Sequence, residues 1–138
     1  MGDRVSECAV YENLGNAYYF LENFEKAVDY YTSFLKIATE LRYRPAGGRA
    51  SRYLGNACYD LDDFRNAIHY YERYIKISTE IGDRYEDSIV YGKLANAYYK
   101  LADFKKAVDF HEFRIRVSKQ IGDRSEECTA HGILVMLI

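Results

Sequence analysis

The chain contains no tryptophan, one proline (Pro45), two methionines and three cysteines. Each scarcity closes off a class of reading. One proline in 138 residues, with 49% hydrophobic and 29% charged residues, suits a globular helical protein and argues against disorder. Cys8, Cys58 and Cys128 stand far apart without C-x-x-C spacing, so neither a zinc site nor a disulfide framework is expected. A reducing, cytoplasmic compartment is expected instead. Charge of one sign is also missing: 19 Lys+Arg against 21 Asp+Glu leave a formal charge of −2, so no overall field draws the chain to nucleic acid or to an anionic membrane. The longest apolar run, Ile133 to Ile138, is far short of the roughly 20 residues that span a bilayer. No basic-then-apolar leader opens the chain. Met1 to Ser6 fits the myristoylation template M-G-x-x-x-[ST], yet Gly-Asp-Arg recurs at Gly82 and Gly122, which favours Gly2 as the first residue of a repeat.

What is present is repetition. Leu14, Leu54, Leu94 and Leu134 share a period of 40, obeyed also by Ala17, Ala57 and Ala97, by Phe24, Phe64 and Phe104, and by Ala27, Ala67 and Ala107. Such a period marks a solenoid whose units bury one face against the next. Leu14, Ala17, Tyr18 and Leu21 fall on one helical stripe, and Ala27, Tyr30, Tyr31, Phe34, Ile37 and Ala38 on a second. Each unit is therefore a helix A and a helix B folded back after a short polar turn. Asn23, Asp63 and Asp103 are the expected N-caps of the B helices. Gly82 and Gly122 should end B helices in a left-handed residue, with Asp83 and Asp123 capping the next helix A and Glu86 and Glu126 completing capping boxes. Between units one and two, Pro45 and the pair Gly47-Gly48 replace that link, and a looser or differently angled junction is expected.

Tyr11-x-x-Leu14-Gly15-x-x-Tyr18 followed by Ala27-x-x-x-Tyr31 resembles the tetratricopeptide repeat. The longer 40-residue form, with "LGNAYY", F-x-x-A and "GDR", is similar to the repeats of the Partner-of-Inscuteable and G-protein-signalling-modulator scaffolds. The resemblance implies an all-α helix-turn-helix solenoid, a right-handed superhelix whose helix A faces line a concave groove. One domain over residues 1–138 is expected, with repeats at about 2–41, 42–81 and 82–121 and a partial fourth at 122–138. The GoLoco segments of those scaffolds are missing, so no G-protein partner is implied.

On a helix with about 100° per residue, Asn16 points away from the stripe containing Leu14. Asn16, Asn56 and Asn96, lined by Tyr19, Tyr59 and Tyr99, should form a ladder along the groove. An amide can both donate to and accept from an extended peptide backbone. Alternatively, these amides bond a neighbouring helix A and set the repeat spacing. Arg49 and Arg52 lie on the same stripe in unit two, while unit three offers Ile89 and, at the edge, Lys100. The resembling scaffolds hold acidic residues with an arginine in a "GRA" stretch, which Gly48-Arg49-Ala50 matches. The competing reading pairs both arginines with Glu12 or Asp60.

His69, His111 and His131 are scattered without a second ligand at metal-site spacing, and no nucleophile triad or phosphate loop appears. No catalytic activity, metal or other cofactor is expected. The expected function is a scaffold or adaptor for a protein partner with an extended acidic segment. The alternative is a structural or self-assembling repeat module without its own peptide ligand, its apolar C-terminal edge at Ile133 to Ile138 marking either a fragment of a larger scaffold or the contact of a homo-oligomer.

Overall fold

The computed structural model describes residues 2–121, which form six α-helices. They are α1 (Gly2–Phe20), α2 (Phe24–Glu40), α3 (Arg44–Asp60), α4 (Phe64–Ile81), α5 (Asp87–Lys100) and α6 (Phe104–Ile121). Two compact units divide after Ile81, the first holding α1 to α4 and the second α5 and α6. The expectations for Gly122, Asp123, Glu126 and the apolar edge at Ile133 to Ile138 lie outside the described residues.

Helices A and B of each repeat are α1 and α2, α3 and α4, and α5 and α6. Each pair is joined by three residues whose middle member is left-handed: Glu22 at φ 61°, Asp62 at φ 60° and Ala102 at φ 62°. Around Glu22, the Asn23 amide donates to Tyr18 O at 2.9 Å and the Glu22 amide to Tyr19 O at 2.9 Å. Those two bonds close the last carbonyls of α1, as in a Schellman turn, and the same pattern recurs at Asp62 and Ala102. The following residue then caps helix B. Oδ1 of Asn23, Asp63 and Asp103 accepts from the backbone amide three residues on, at 3.3, 3.4 and 3.3 Å. The caps are those expected from the sequence. The left-handed residues are not glycine and gave no such signal.

Buried alanines let the helices close. Ala27, Ala67 and Ala107 on the B helices are fully buried, as are Leu54 and Ala57 of α3, a helix that packs against α2. On α1 the same stripe is only partly covered, and Leu21 is 74% exposed. A third periodic device escaped the sequence reading. Arg4 pairs with Glu40 and Arg44 with Glu80, and Arg84 Nη1 donates to Gln120 Oε1 at 3.4 Å. In every described repeat an arginine early in the chain segment of helix A thus clasps the last turn of helix B. Both partners are solvated, so each clasp contributes at most about 1 kcal/mol.

Two sequence expectations are corrected. The junction of units one and two is a three-residue turn, and Gly47 and Gly48 lie buried inside α3, with Pro45 in its first turn. Proline fits there because the first helical amides have no carbonyl to bond. Gly82 does take the left-handed region, at φ 80°. Asp83 and Glu86, however, form no capping box, because α5 starts only at Asp87 and Glu86 makes no side-chain cap bond. The turn is held by Arg84, whose Nε donates to Asp87 Oδ2 at 3.0 Å.

Ala102 is exposed and its Cβ opposes the left-handed backbone. Ala102→Gly should therefore raise stability by about 0.5–1 kcal/mol, after the added chain entropy of glycine is subtracted. A urea midpoint that stays put or falls would contradict the strain at this turn.

Candidate functional site

The threefold asparagine is explained by the residue beside it and a ring from helix B. At Gly15, an added Cβ would sit 2.4 Å from Cδ1 of Tyr31; at Gly55 it would sit 2.6 Å from Cδ1 of Tyr71. Each tyrosine ring therefore packs directly on the helix A backbone. Its hydroxyl then reaches the next residue: Tyr31 donates to Asn16 Oδ1 at 2.6 Å and Tyr71 to Asn56 Oδ1 at 2.7 Å. Burial pushes both hydroxyls up from the ordinary tyrosine range, so they remain protonated donors. The amide oxygens are thus used within their own repeat. Tyr31 and Tyr71 already engage the acceptor oxygens that the sequence suggested for a peptide. What the Asn16 amide keeps is its donor NH2 group.

The third repeat lacks this bond. Ala95 stands where the glycines were and His111 where the tyrosines were, and both are buried. Asn96 is half-buried, but neither ring nitrogen of His111 has a hydrogen-bond partner. Burial, aided by the Arg114 charge, pushes the His111 pKa down to about 4.

Two side-chain links tie α1 to α3. Arg49 Nε donates to Glu12 Oε2 at 2.9 Å and Nη2 to Oε1 at 3.3 Å, a two-pronged pair that raises the Arg49 pKa. Further along, the Tyr19 hydroxyl donates to Asp60. Between these links stands Arg52, half-buried, its guanidinium 5.0 Å from the Tyr53 ring centroid and 6.0 Å from that of Tyr74. No carboxylate or other acceptor among the described residues takes its hydrogen bonds. The two arginines placed on one stripe by the sequence therefore differ: Arg49 is paired and Arg52 keeps its donors. Tyr59 is half-buried and meets Phe64 edge-on at 5.4 Å.

In the second unit, α5 carries Ile89 and Tyr99, 48% and 49% exposed, and Lys100 in its last turn. Tyr99 meets Phe104 edge-on at 5.2 Å. Cys8 and Cys58 are buried free thiols, and burial raises both above the ordinary thiol range, Cys58 to about 11. Neither is poised as a nucleophile. Among the described residues no group of three His, Cys, Asp or Glu could hold a metal ion, and no helix is long and apolar enough to cross a membrane.

Antiparallel helix pairs repeated every 40 residues define a helical-repeat protein. The chain belongs to the tetratricopeptide repeat family, whose pattern matches residues 6–80 and again 49–120. Domains of this family generally mediate protein–protein interactions and are typically non-catalytic. No curated protein matches by sequence. Among solved structures, the chain is similar to the tetratricopeptide domain of Arabidopsis FLU, at 24% identity and TM-score 0.79 over 85% of this chain and 98% of that one. It is similar to the TPR2B domain of yeast Sti1, solved as a complex with pHsp70, at 16% identity and TM-score 0.77 over 96% of each chain. A STAND signal-transduction ATPase with a tetratricopeptide sensor from Pyrococcus horikoshii matches at 21% identity and TM-score 0.80, covering 94% of this chain and 20% of that one. At such identities the likeness establishes the fold alone. It reaches several kinds of tetratricopeptide protein and does not point to the Partner-of-Inscuteable scaffolds in particular.

Gly55→Ala should lower stability by about 1–3 kcal/mol, because the buried Tyr71 ring has to move off its seat and strain the bond to Asn56. Chemical denaturation measures it, and a change under about 0.5 kcal/mol would remove the close packing from the account. His111 sets a pH dependence. Between its folded pKa of about 4 and the ordinary 6.5, the unfolded chain binds more protons than the folded one, so stability rises with pH across that window. Its contribution is complete above about pH 6.5 and is lost as pH falls toward 4. Thermal melts of wild type and His111→Phe should diverge in that window, with the variant giving the flatter profile.

Proposed function

We propose that the chain is a protein-binding adaptor that holds an extended, acidic peptide segment on the helix A face shared by α1 and α3. Arg52 carries this reading. A guanidinium held over two aromatic rings, half-buried and with no acceptor among the described residues, is positioned before any ligand arrives. It suits a carboxylate, which two of its N–H groups can bind side by side. Asn16, its oxygen fixed by Tyr31, supplies a donor of set orientation for a peptide carbonyl. Arg49 has a second role in this reading. Glu12 already occupies it as an internal carboxylate, so an acidic ligand reaches Arg49 only by displacing Glu12.

Tyr19, Tyr59 and Asn56 frame the same face of the first unit. Ile89, Asn96, Tyr99 and Lys100 give the helix A face of the second unit its own chemistry, more apolar and with a terminal lysine. The complex of the Sti1 domain with pHsp70 supports partner capture as a use of this fold. A reducing, cytoplasmic setting suits the free thiols of Cys8 and Cys58. Signalling by the chain follows from this reading only as adaptor work, bringing an acidic segment to another protein.

Fluorescence anisotropy with a library of acidic peptides tests the assignment. The tightest binder should lose affinity by at least about tenfold on Arg52→Ala, and its binding should weaken with added salt. Glu12→Gln should leave affinity unchanged or raise it. Equal binding by wild type and Arg52→Ala would discard the proposed anchor.

A further inference from the structure

Peptide capture by Arg52 leaves the stretch Arg42 to Gly48 without a role, although it is where the sequence departs furthest from its own repeat. Beside it, inside the first unit, opens a pocket of about 290 Å³ with Arg42, Arg44, Arg73, Thr39, Tyr43 and Gly47 on its wall. No acidic side chain lines it. The positions equivalent to Tyr43 hold Asp3, Asp83 and Asp123, and those equivalent to Gly47 hold Glu7, Asp87 and Glu127. Those equivalent to Arg42 hold Gly2, Gly82 and Gly122, and those equivalent to Arg73 hold Ser33 and Phe113. In this unit alone, two carboxylates are removed from the spot and two guanidinium groups are added.

The backbone records the same exchange. Arg42 has φ 56°, the left-handed region that Gly82 occupies at φ 80° one repeat later. A side chain there is strained relative to ordinary backbone. At Gly47 an added Cβ would meet only Ile77 Cδ1, at an ordinary contact distance of 3.9 Å, so the wall is uncrowded there. Arg44 is held by Glu80, which fixes one side of the pocket. Arg73 Nη2 reaches Thr39 Oγ1 at 3.5 Å, and neither it nor Arg42 has a carboxylate partner among the described residues.

We infer that this pocket binds a phosphoryl group, with Arg42 and Arg73 as its ligands and Arg44 beside them. One guanidinium fork satisfies both oxygens of a carboxylate, whereas a phosphoryl group carries three terminal oxygens and close to two negative charges, enough to engage two forks. A phosphorylated side chain on a partner and a free phosphate present this same group, and affinity separates the two sources.

The test uses the full 138-residue chain and three probes in isothermal titration: inorganic phosphate, a phosphoserine peptide with no other charged side chain, and its unphosphorylated form. Arg42→Gly/Arg73→Ser installs the residues that other units carry at these positions, and it relieves the left-handed strain. The variant should melt no lower than wild type, so loss of binding is separable from loss of fold. Wild type should bind the phosphopeptide and not its unphosphorylated form, and the double variant should lose at least about tenfold in affinity. A phosphopeptide bound more than about tenfold tighter than inorganic phosphate places the group on a protein partner; equal affinities assign the pocket to the free anion. No binding of either phosphate probe, equal binding by the double variant, or equal binding of acetate at matched ionic strength overturns the inference.

Discussion

A tyrosine ring resting on a glycine fixes how helix B sits against helix A, and the rest of the first unit depends on that distance. Because Gly15 and Gly55 have no Cβ, the Tyr31 and Tyr71 rings reach the helix A backbone and their hydroxyls reach Asn16 and Asn56. A bond of this kind contributes only about 1 kcal/mol net, but it is directional, so it selects one rotation of each asparagine. At Asn16 that rotation commits the amide oxygen to Tyr31 and leaves the NH2 half as the remaining donor. The chemistry of the face is therefore set from beneath, by a residue 15 positions away.

The links between the two A helices act on the same face from the sides. Glu12 with Arg49 and Tyr19 with Asp60 hold α1 beside α3, and each pairing takes up its polar groups within the fold. Arg52 escapes this because its neighbours are aromatic rings, which attract a cation without saturating its hydrogen bonds. The charge such a face presents depends on which groups the fold leaves unneutralised. The turn at Arg42 shows the same logic, since there the repeat gives up two carboxylates and accepts a strained backbone in exchange for two unpaired guanidinium groups.

Departures from the period proved as informative as the period itself. His111 and Ala95 replace the tyrosine and glycine together, and a smaller ring with a larger floor still buries completely. What is lost is the hydrogen bond, so the third repeat keeps the packing and gives up the polar lock. The exchange ties the stability of that unit to the protonation of a buried imidazole.

The helical repeat, the B-helix caps and the buried stripes were legible in the sequence because they are local: period 3.6 within a helix, period 40 between units, and a capping side chain three residues from its amide. The arginine clasps at Arg4, Arg44 and Arg84 were equally periodic, yet their partners lie 36 residues away, a separation that one-helix patterns do not pair. Sequence periodicity also placed Arg49 and Arg52 on one stripe and the asparagines on one face, but it could not distribute hydrogen bonds among them. Only the folded chain decided that, because each polar group goes to the nearest partner that packing brings within about 3 Å, and those partners sit on other helices. The junction at Pro45 to Gly48 shows the same division. Composition suggested a loose link, whereas burial against Ile77 made the glycines part of α3.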